Sequence, residues 1–243
     1  MKRYIWGGLV LFMGFAITFI PSSVINPLIS AHTPAKLVTP SGSIWGGNGR
    51  LLWSDFVVGE VTWNFLASSL WHAQIGYRLE LMAADKTLAG ELSYGAGQLS
   101  GDLQGTFDLI AANAWLQRYD IAVDGPCQID PTDFTLELSR RIPAKLEGLI
   151  RCTRSNARYR LSGVNYQARL PPVEIRLSTP DAQRVEASVY TKNVLFPVLI
   201  ASLDNTGMAK VEVTRLFTQM LGNPWPESGS DSAIVIEVEE QIL

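Results

Sequence analysis

Two histidines, two cysteines and several carboxylates are the residues of this 243-residue chain whose side chains could perform chemistry. His72 could act in general acid–base catalysis if a carboxylate lay beside it. Gln74 and Arg78 follow it on the polar side of an alternating segment, which predicts that His72 lies on the solvated face of a strand. The chain contains no nucleophile elbow, phosphate-binding loop or metal-binding histidine pair. We therefore predict no catalytic residue, no metal, no cofactor and no enzyme activity.

Glycine-rich and acidic segments have structural interpretations. Residues 95–97, Gly-Ala-Gly, come close to a dinucleotide-binding fingerprint, but alternating segments flank them, which favours a hairpin turn. The carboxylates Glu237, Glu239 and Glu240 fall in an alternating C-terminal segment, which predicts the solvated face of a final strand. The formal net charge is −3 and the arginines are scattered. The chain therefore lacks the basic patch that a nucleic-acid partner requires.

Cys127 and Cys152 are the only cysteines. In an oxidising compartment such a pair is expected to form a disulfide, and the alternative is two free buried thiols. A metal site would need more ligands, and His32 and His72 are not at ligand spacing with the cysteines. The interpretation as a disulfide therefore depends on where the body of the protein lies.

The N-terminal segment predicts a membrane anchor over residues 1–21. Residues 4–20 carry no charge, and Lys2 and Arg3 are the only charges before them. A helix of this length reaches about 25 Å, near the minimum for crossing the hydrocarbon layer. The positive-inside bias places the N-terminus in the cytoplasm and the body on the other side. A cleaved signal peptide is the alternative, but Ala31 lies farther from the apolar segment than a usual cleavage site.

Prolines at four positions between residues 21 and 40 predict an extended periplasmic linker over residues 22–40. A β-rich periplasmic domain is expected over residues 41–243, because apolar and polar residues alternate there with period 2. Only two segments have helical features, one capped by Asp108 and one by Thr214.

Two short helices cannot cover the many apolar strand faces of such a domain. We therefore predict a mostly β fold, either a curved antiparallel sheet or a sandwich. The pattern leaves open whether the apolar faces form a closed core or line a groove for a ligand.

Four tryptophans, Trp45, Trp53, Trp63 and Trp71, fall within 27 positions. One interpretation is a corner of the core, because tryptophan buries a large apolar surface. The other is a surface that contacts a partner or lines a groove.

Residues 40–50, Pro-Ser-Gly-Ser-Ile-Trp-Gly-Gly-Asn-Gly-Arg, and residues 59–63, Gly-Glu-Val-Thr-Trp, resemble the opening of the type II secretion system protein N family. In that family a short anchor and a spacer precede such a segment. The resemblance implies an accessory inner-membrane component of the machine that moves folded proteins out of the periplasm. It implies binding to other inner-membrane or periplasmic components of that system and no catalysis.

A periplasmic lipid-handling protein is the alternative function. The layout is also similar to that of AsmA-like proteins and of the anchored member of the lipopolysaccharide-transport bridge. Those proteins combine one N-terminal transmembrane helix with strands that are apolar on one face and line an apolar groove. This alternative implies lipid as a possible partner.

Overall fold

The computed structural model describes residues 18–30, 34–54, 56–137, 140 and 142–242. Most of the predicted anchor, residues 1–17, lies outside the described residues, as does His32. Among the described residues, no helix has the length and apolar character needed to cross a membrane. Strands make up 63% of the structure, which confirms the predicted mostly β class. The chain divides into two compact units, Met1–Ala84 and Asp85–Leu243.

The first unit contains four antiparallel strands that are neighbours in chain order. A 3-10 turn at Ser22–Val24 and a short helix at Ile25–Ser30 precede them, and a 3-10 turn at Ala67–His72 joins the third strand to the fourth. The strands are β1 (Ala35–Ser43), β2 (Gly46–Trp53), β3 (Phe56–Leu66) and β4 (Ile75–Ala83).

The prediction of an extended linker over residues 22–40 is corrected by this arrangement. The segment contains the Ile25–Ser30 helix, and β1 begins at Ala35 rather than after residue 40. Leu37 is buried, and its amide donates to the side-chain oxygen of Asn26 at 3.0 Å, so this part of the chain packs on the sheet. The prolines permit this because Pro27 lies in the first turn of its helix and Pro40 lies in an edge strand.

His72 lies at the end of the Ala67–His72 turn and not in a strand, which corrects the prediction from the alternation. Ala73 adopts a left-handed conformation with φ of 55° and donates its amide to the carbonyl of Leu70 at 3.0 Å. This closes the turn, and β4 starts only at Ile75. The prediction was wrong because the apolar Ala73 continues the period-2 pattern of β4 backwards into the turn.

The second unit contains a large antiparallel sheet of nine strands and a separate sheet of three. The large sheet has the order β5 (Lys86–Gly95), β6 (Gln98–Asp108), β8 (Pro126–Glu137), β9 (Lys145–Cys152), β12 (Val173–Asp181), β13 (Arg184–Thr191), β14 (Leu199–Asp204), β15 (Met208–Thr214) and β16 (Ile234–Gln241). The small sheet has the order β11 (Val164–Leu170), β10 (Ser155–Leu161) and β7 (Ile121–Asp124).

The hairpin turn predicted at residues 95–97 is present in the large sheet, and a second tight turn joins β14 to β15. Ala96 and Gly97 both have positive φ, 50° and 78°, as a two-residue turn between right-twisted strands requires. Between β14 and β15 the Asp204 carboxylate accepts hydrogen bonds from the amides of Thr206 and Met208, at 2.8 and 3.1 Å. Together with the bond from the Thr206 hydroxyl, the largest cause, these hold the pKa of Asp204 below its usual value.

Both predicted helical segments are present. The Asp108 carboxylate accepts from the amide of Ile110 at 2.9 Å and begins a 3-10 turn at Leu109–Ala112. A helical turn at Asn113–Leu116 and a 3-10 turn at Gln117–Tyr119 follow. The second helix is Arg215–Met220. Thr214 stands at its N-cap position, but its hydroxyl donates to the carbonyl of Val198 at 2.8 Å instead of capping the helix.

Candidate functional site

One face of the large sheet is apolar from β8 to β16. The strand register aligns apolar residues of seven strands in one row, and side chains two positions apart share a face. The row is Ile129, Ile150, Ile175, Val189, Leu199, Val213 and Ile236. The adjacent row on the same face is Gly148, Leu177, Ala187, Ala201, Val211 and Val238.

The opposite face of this sheet is charged. Glu147 pairs with Lys145 at 3.2 Å, and Lys210 pairs with Glu212 at 3.0 Å. The Lys145–Glu147 pair is solvated and contributes little to stability, whereas Lys210 and Glu212 are half-buried. The contrast between the faces identifies the apolar face as the one that packs or binds.

The apolar face is half-covered rather than sealed. Its central residues are half-buried, and Ile236 and Val238 are exposed. A groove of about 270 Å³ opens on it, lined chiefly by Leu177, Ala187, Ala201, Leu203 and Val211. In a closed sandwich the facing sheet would bury these side chains fully. This part of the apolar face is therefore an open groove.

The disulfide between Cys127 and Cys152 lies on this face, two positions beyond Ile129 and Ile150. The two residues stand directly opposite each other in β8 and β9, with Cα atoms 4.1 Å apart. Each is only 3% exposed. The predicted disulfide is therefore present, and it closes the β8–β9 hairpin at the end opposite its turn.

The four tryptophans do not form one cluster. Trp63 is 4% exposed and its indole Nε1 donates to the carbonyl of Ser43 at 3.0 Å, while Trp45 is half-buried and lies edge-on to Phe65 with ring centroids 4.7 Å apart. Trp53 is 46% exposed and Trp71 is 90% exposed. The core interpretation fits Trp45 and Trp63, whereas Trp53 and Trp71 lie on the surface.

The glycines near Trp45 are explained by close packing. Gly47 stands opposite Trp63 in the β2–β3 pair, and a Cβ atom on Gly47 would lie 2.7 Å from Cζ2 of Trp63. A Cβ atom on Gly49 would lie 3.0 Å from Cδ1 of Leu37. Residues 40–63 thus form two hairpins that seat the Trp63 indole.

Strand β16 has a free outer edge, because within the described ranges β15 is its only strand neighbour. The amide of Ile242 donates to the carbonyl of Gly207 at 2.9 Å. Backbone groups of an antiparallel strand point alternately to either side, so those of Val238 point to β15 and those of Glu237 and Glu239 point outward. The sequence showed the alternation but not the position at the sheet edge, which depends on strand order.

Charged contacts fix the side chains around this edge. The Lys210 ammonium lies 3.0 Å from Glu212 and 3.2 Å from Glu237, and its hydrogen bonds to these carboxylates, with Glu212 first, raise the pKa of Lys210. The Tyr119 hydroxyl donates to Glu240, and this bond is the main cause of the raised pKa of Tyr119. The Glu239 carboxylate stands opposite Lys210 in the register. The edge therefore presents Glu237 and Glu239 on one face, and the exposed aliphatic side chains of Ile236 and Val238, followed by Glu240, on the other.

The described part of the molecule holds no cluster of metal ligands. No group of three or more His, Cys, Asp or Glu residues there is arranged to hold a metal ion. His72 is exposed on its turn. The described residues also present three surfaces that could bind a partner: the apolar groove, the outer edge of β16 and the exposed aromatic residues of the first unit.

The sequence matches no protein-family model, and the chain matches neither a curated protein nor a solved structure.

Proposed function

We propose that the protein is a non-enzymatic accessory component of the type II protein secretion system, anchored in the inner membrane with its body in the periplasm. The resemblance of residues 40–63 to the opening of the protein N family supports the assignment to this system. The disulfide supports an oxidising compartment for the body. The observation that carries a binding role is the free edge of β16, since an exposed edge can accept a strand from a partner.

The side chains of β16 define the partner strand. A strand added to this edge places its side chains beside Ile236 and Val238 on one face and beside Glu237 and Glu239 on the other. Alternating aliphatic and basic residues match both faces. A second copy of β16 is disfavoured, because a face-matched antiparallel register sets glutamates opposite glutamates. The partner is therefore a different polypeptide with a basic, amphipathic strand.

Reversing both charges at the edge is expected to reduce partner recovery about tenfold, because attractive cross-strand pairs become repulsive. The variant is Glu237→Lys with Glu239→Lys in the full-length chain. The measurement is quantitative mass spectrometry of proteins that co-purify with it from the membranes of secreting cells. Secretion itself is a secondary readout, since an accessory subunit can be dispensable.

The matched control is Glu147→Lys with Glu174→Lys. These two glutamates lie on the same charged face, in inner strands, and each forms a surface ion pair as Glu237 does. This control changes the net charge equally and should leave recovery unchanged. Equal losses in both variants would contradict the edge as the binding site, and recovery of no secretion component by the wild type would contradict the assignment.

The groove on the apolar face favours a second candidate function, the binding of lipid. Its lining is mainly aliphatic, with Glu186, Ser202 and Lys210 also contributing, and it is open to solvent, which suits part of an acyl chain.

Ala201→Glu would place a charge in the groove and should abolish lipid retention by the purified full-length protein, measured by native mass spectrometry. Ser178→Glu is the control, because Ser178 lies on the charged face of β12, opposite Glu186 in the register, and is not one of the residues that line the groove. Absence of bound lipid from the wild-type protein, or equal retention in the two variants, would rule out this candidate.

A further inference from the structure

The turn Ala67–His72 exposes an apolar group at one end of the first unit. Trp71 is 90% exposed, and Leu70 and Ile75 beside it are also exposed. Full exposure of an indole together with two aliphatic side chains is unfavourable in water, and such patches commonly mark a contact surface.

Backbone hydrogen bonds close the turn that carries these side chains. Ser69 is buried, and its carbonyl accepts the amide of Gln74 at 3.1 Å. The Leu70 carbonyl accepts the amide of Ala73 at 3.0 Å. Because the backbone is closed on both sides of Trp71, the indole is presented outward by a fixed turn.

The same end of the sheet receives the N-terminal segment. Pro21 pairs with Ser43 at the end of β1, and the amide of Ile44 donates to the carbonyl of Ile20 at 3.1 Å. Residues 18–20 therefore run beyond the end of β1. The register places Ser43, Gly46 and Asn64 in line at this end, and the Ala67–His72 turn follows immediately after β3.

The opposite end of this sheet also carries exposed apolar side chains. Trp53 pairs with both Ala35 and Phe56 at the far hairpin, and Phe56 is 69% exposed. The nine residues of β1 separate the two ends, which corresponds to about 30 Å of extended strand. Each end therefore has an exposed aromatic residue, Trp71 near the N-terminal segment and Phe56 far from it, and the two can be compared.

We propose that the end of the first unit bearing Trp71 lies on the phospholipid bilayer, with Trp71, Leu70 and Ile75 in the interfacial layer. The uncharged segment of residues 4–20, which the sequence predicts to span the membrane, joins the unit at this end. Tryptophan is favoured in the interfacial layer, where its apolar ring is buried and its N–H remains hydrated. The inference rests on the predicted anchor and not on the secretion role.

Depth-dependent quenching tests this orientation. Leu70→Cys, which keeps Trp71, and Phe56→Cys are each labelled with a polarity-sensitive fluorophore in the full-length protein, whose own cysteines are in the disulfide. The proteins are placed in phosphatidylethanolamine–phosphatidylglycerol vesicles containing a spin-labelled lipid quencher. We expect the lipid quencher to reduce the fluorescence of the label at position 70 and to leave the label at position 56 unchanged. Aqueous iodide should quench the label at position 56 and not the label at position 70.

Two outcomes would overturn the proposal: equal exposure of both labels to iodide, or lipid quenching of position 56 alone. Trp71→Cys gives an independent second position and should behave like Leu70→Cys. The test does not involve secretion components, so its failure would leave the proposed function standing, and a failed co-purification would leave the membrane contact standing.

Discussion

Replacing Trp63 by alanine is expected to lower the free energy of unfolding of the first unit by about 3–5 kcal/mol. Trp63 is the largest buried side chain of that unit's core, and its indole fills the space left by Gly47. Truncation leaves a cavity and also removes the hydrogen bond to the carbonyl of Ser43. Hydrogen exchange of the β2 and β3 amides in the full-length protein measures the loss as faster exchange.

Trp53→Ala is the matched control, because Trp53 lies in the same hairpin but is 46% exposed. Its truncation should cost less than about 1 kcal/mol, since much of its surface is already hydrated. Equal acceleration in the two variants would contradict the assignment of Trp63 to the core and of Trp53 to the surface.

Removing the disulfide is expected to destabilise the second unit by about 3.5 kcal/mol in the loop-entropy model. Cys127 and Cys152 are 25 residues apart in sequence, so the bridge restricts a loop of that length in the unfolded chain. The variant is Cys127→Ala with Cys152→Ala, and the measurement is the urea midpoint of the full-length protein followed by circular dichroism.

Reduced wild-type protein provides the control for this variant. Because both cysteines are buried in the folded unit, reduction should require partial unfolding, and the fully reduced protein should reproduce the midpoint of the double variant. An unchanged midpoint in the double variant would show that the bridge does not restrict the unfolded chain as described.

The mostly β class followed directly from the sequence, because alternation with period 2 survives wherever one strand face is solvated. The pattern at Val61, Trp63 and Phe65 is an example, and β3 extends over Phe56–Leu66. The start of the folded region was misjudged because proline was taken to exclude regular structure. Pro27 and Pro40 lie at a helix start and in an edge strand, where a missing amide donor costs little.

The candidate surfaces were only partly predictable. The sequence identified the four tryptophans but could not separate the buried Trp63 from the exposed Trp71, since burial depends on which strand lies opposite. It identified the carboxylates of the last strand but not the free edge beside them. The openness of the apolar face also depends on packing between distant strands, which residue alternation does not record.

Site-specific photocrosslinking from β16 tests the binding role most directly. A photoreactive amino acid is placed at Glu239 on the free edge and, as the control, at Glu174 on the same face of an inner strand, in full-length protein within secreting cells. The account predicts a crosslink from position 239, and none from position 174, to an inner-membrane or periplasmic component of the type II secretion system. Crosslinks from position 239 only to lipid-transport proteins, or equal crosslinking from both positions, would contradict it.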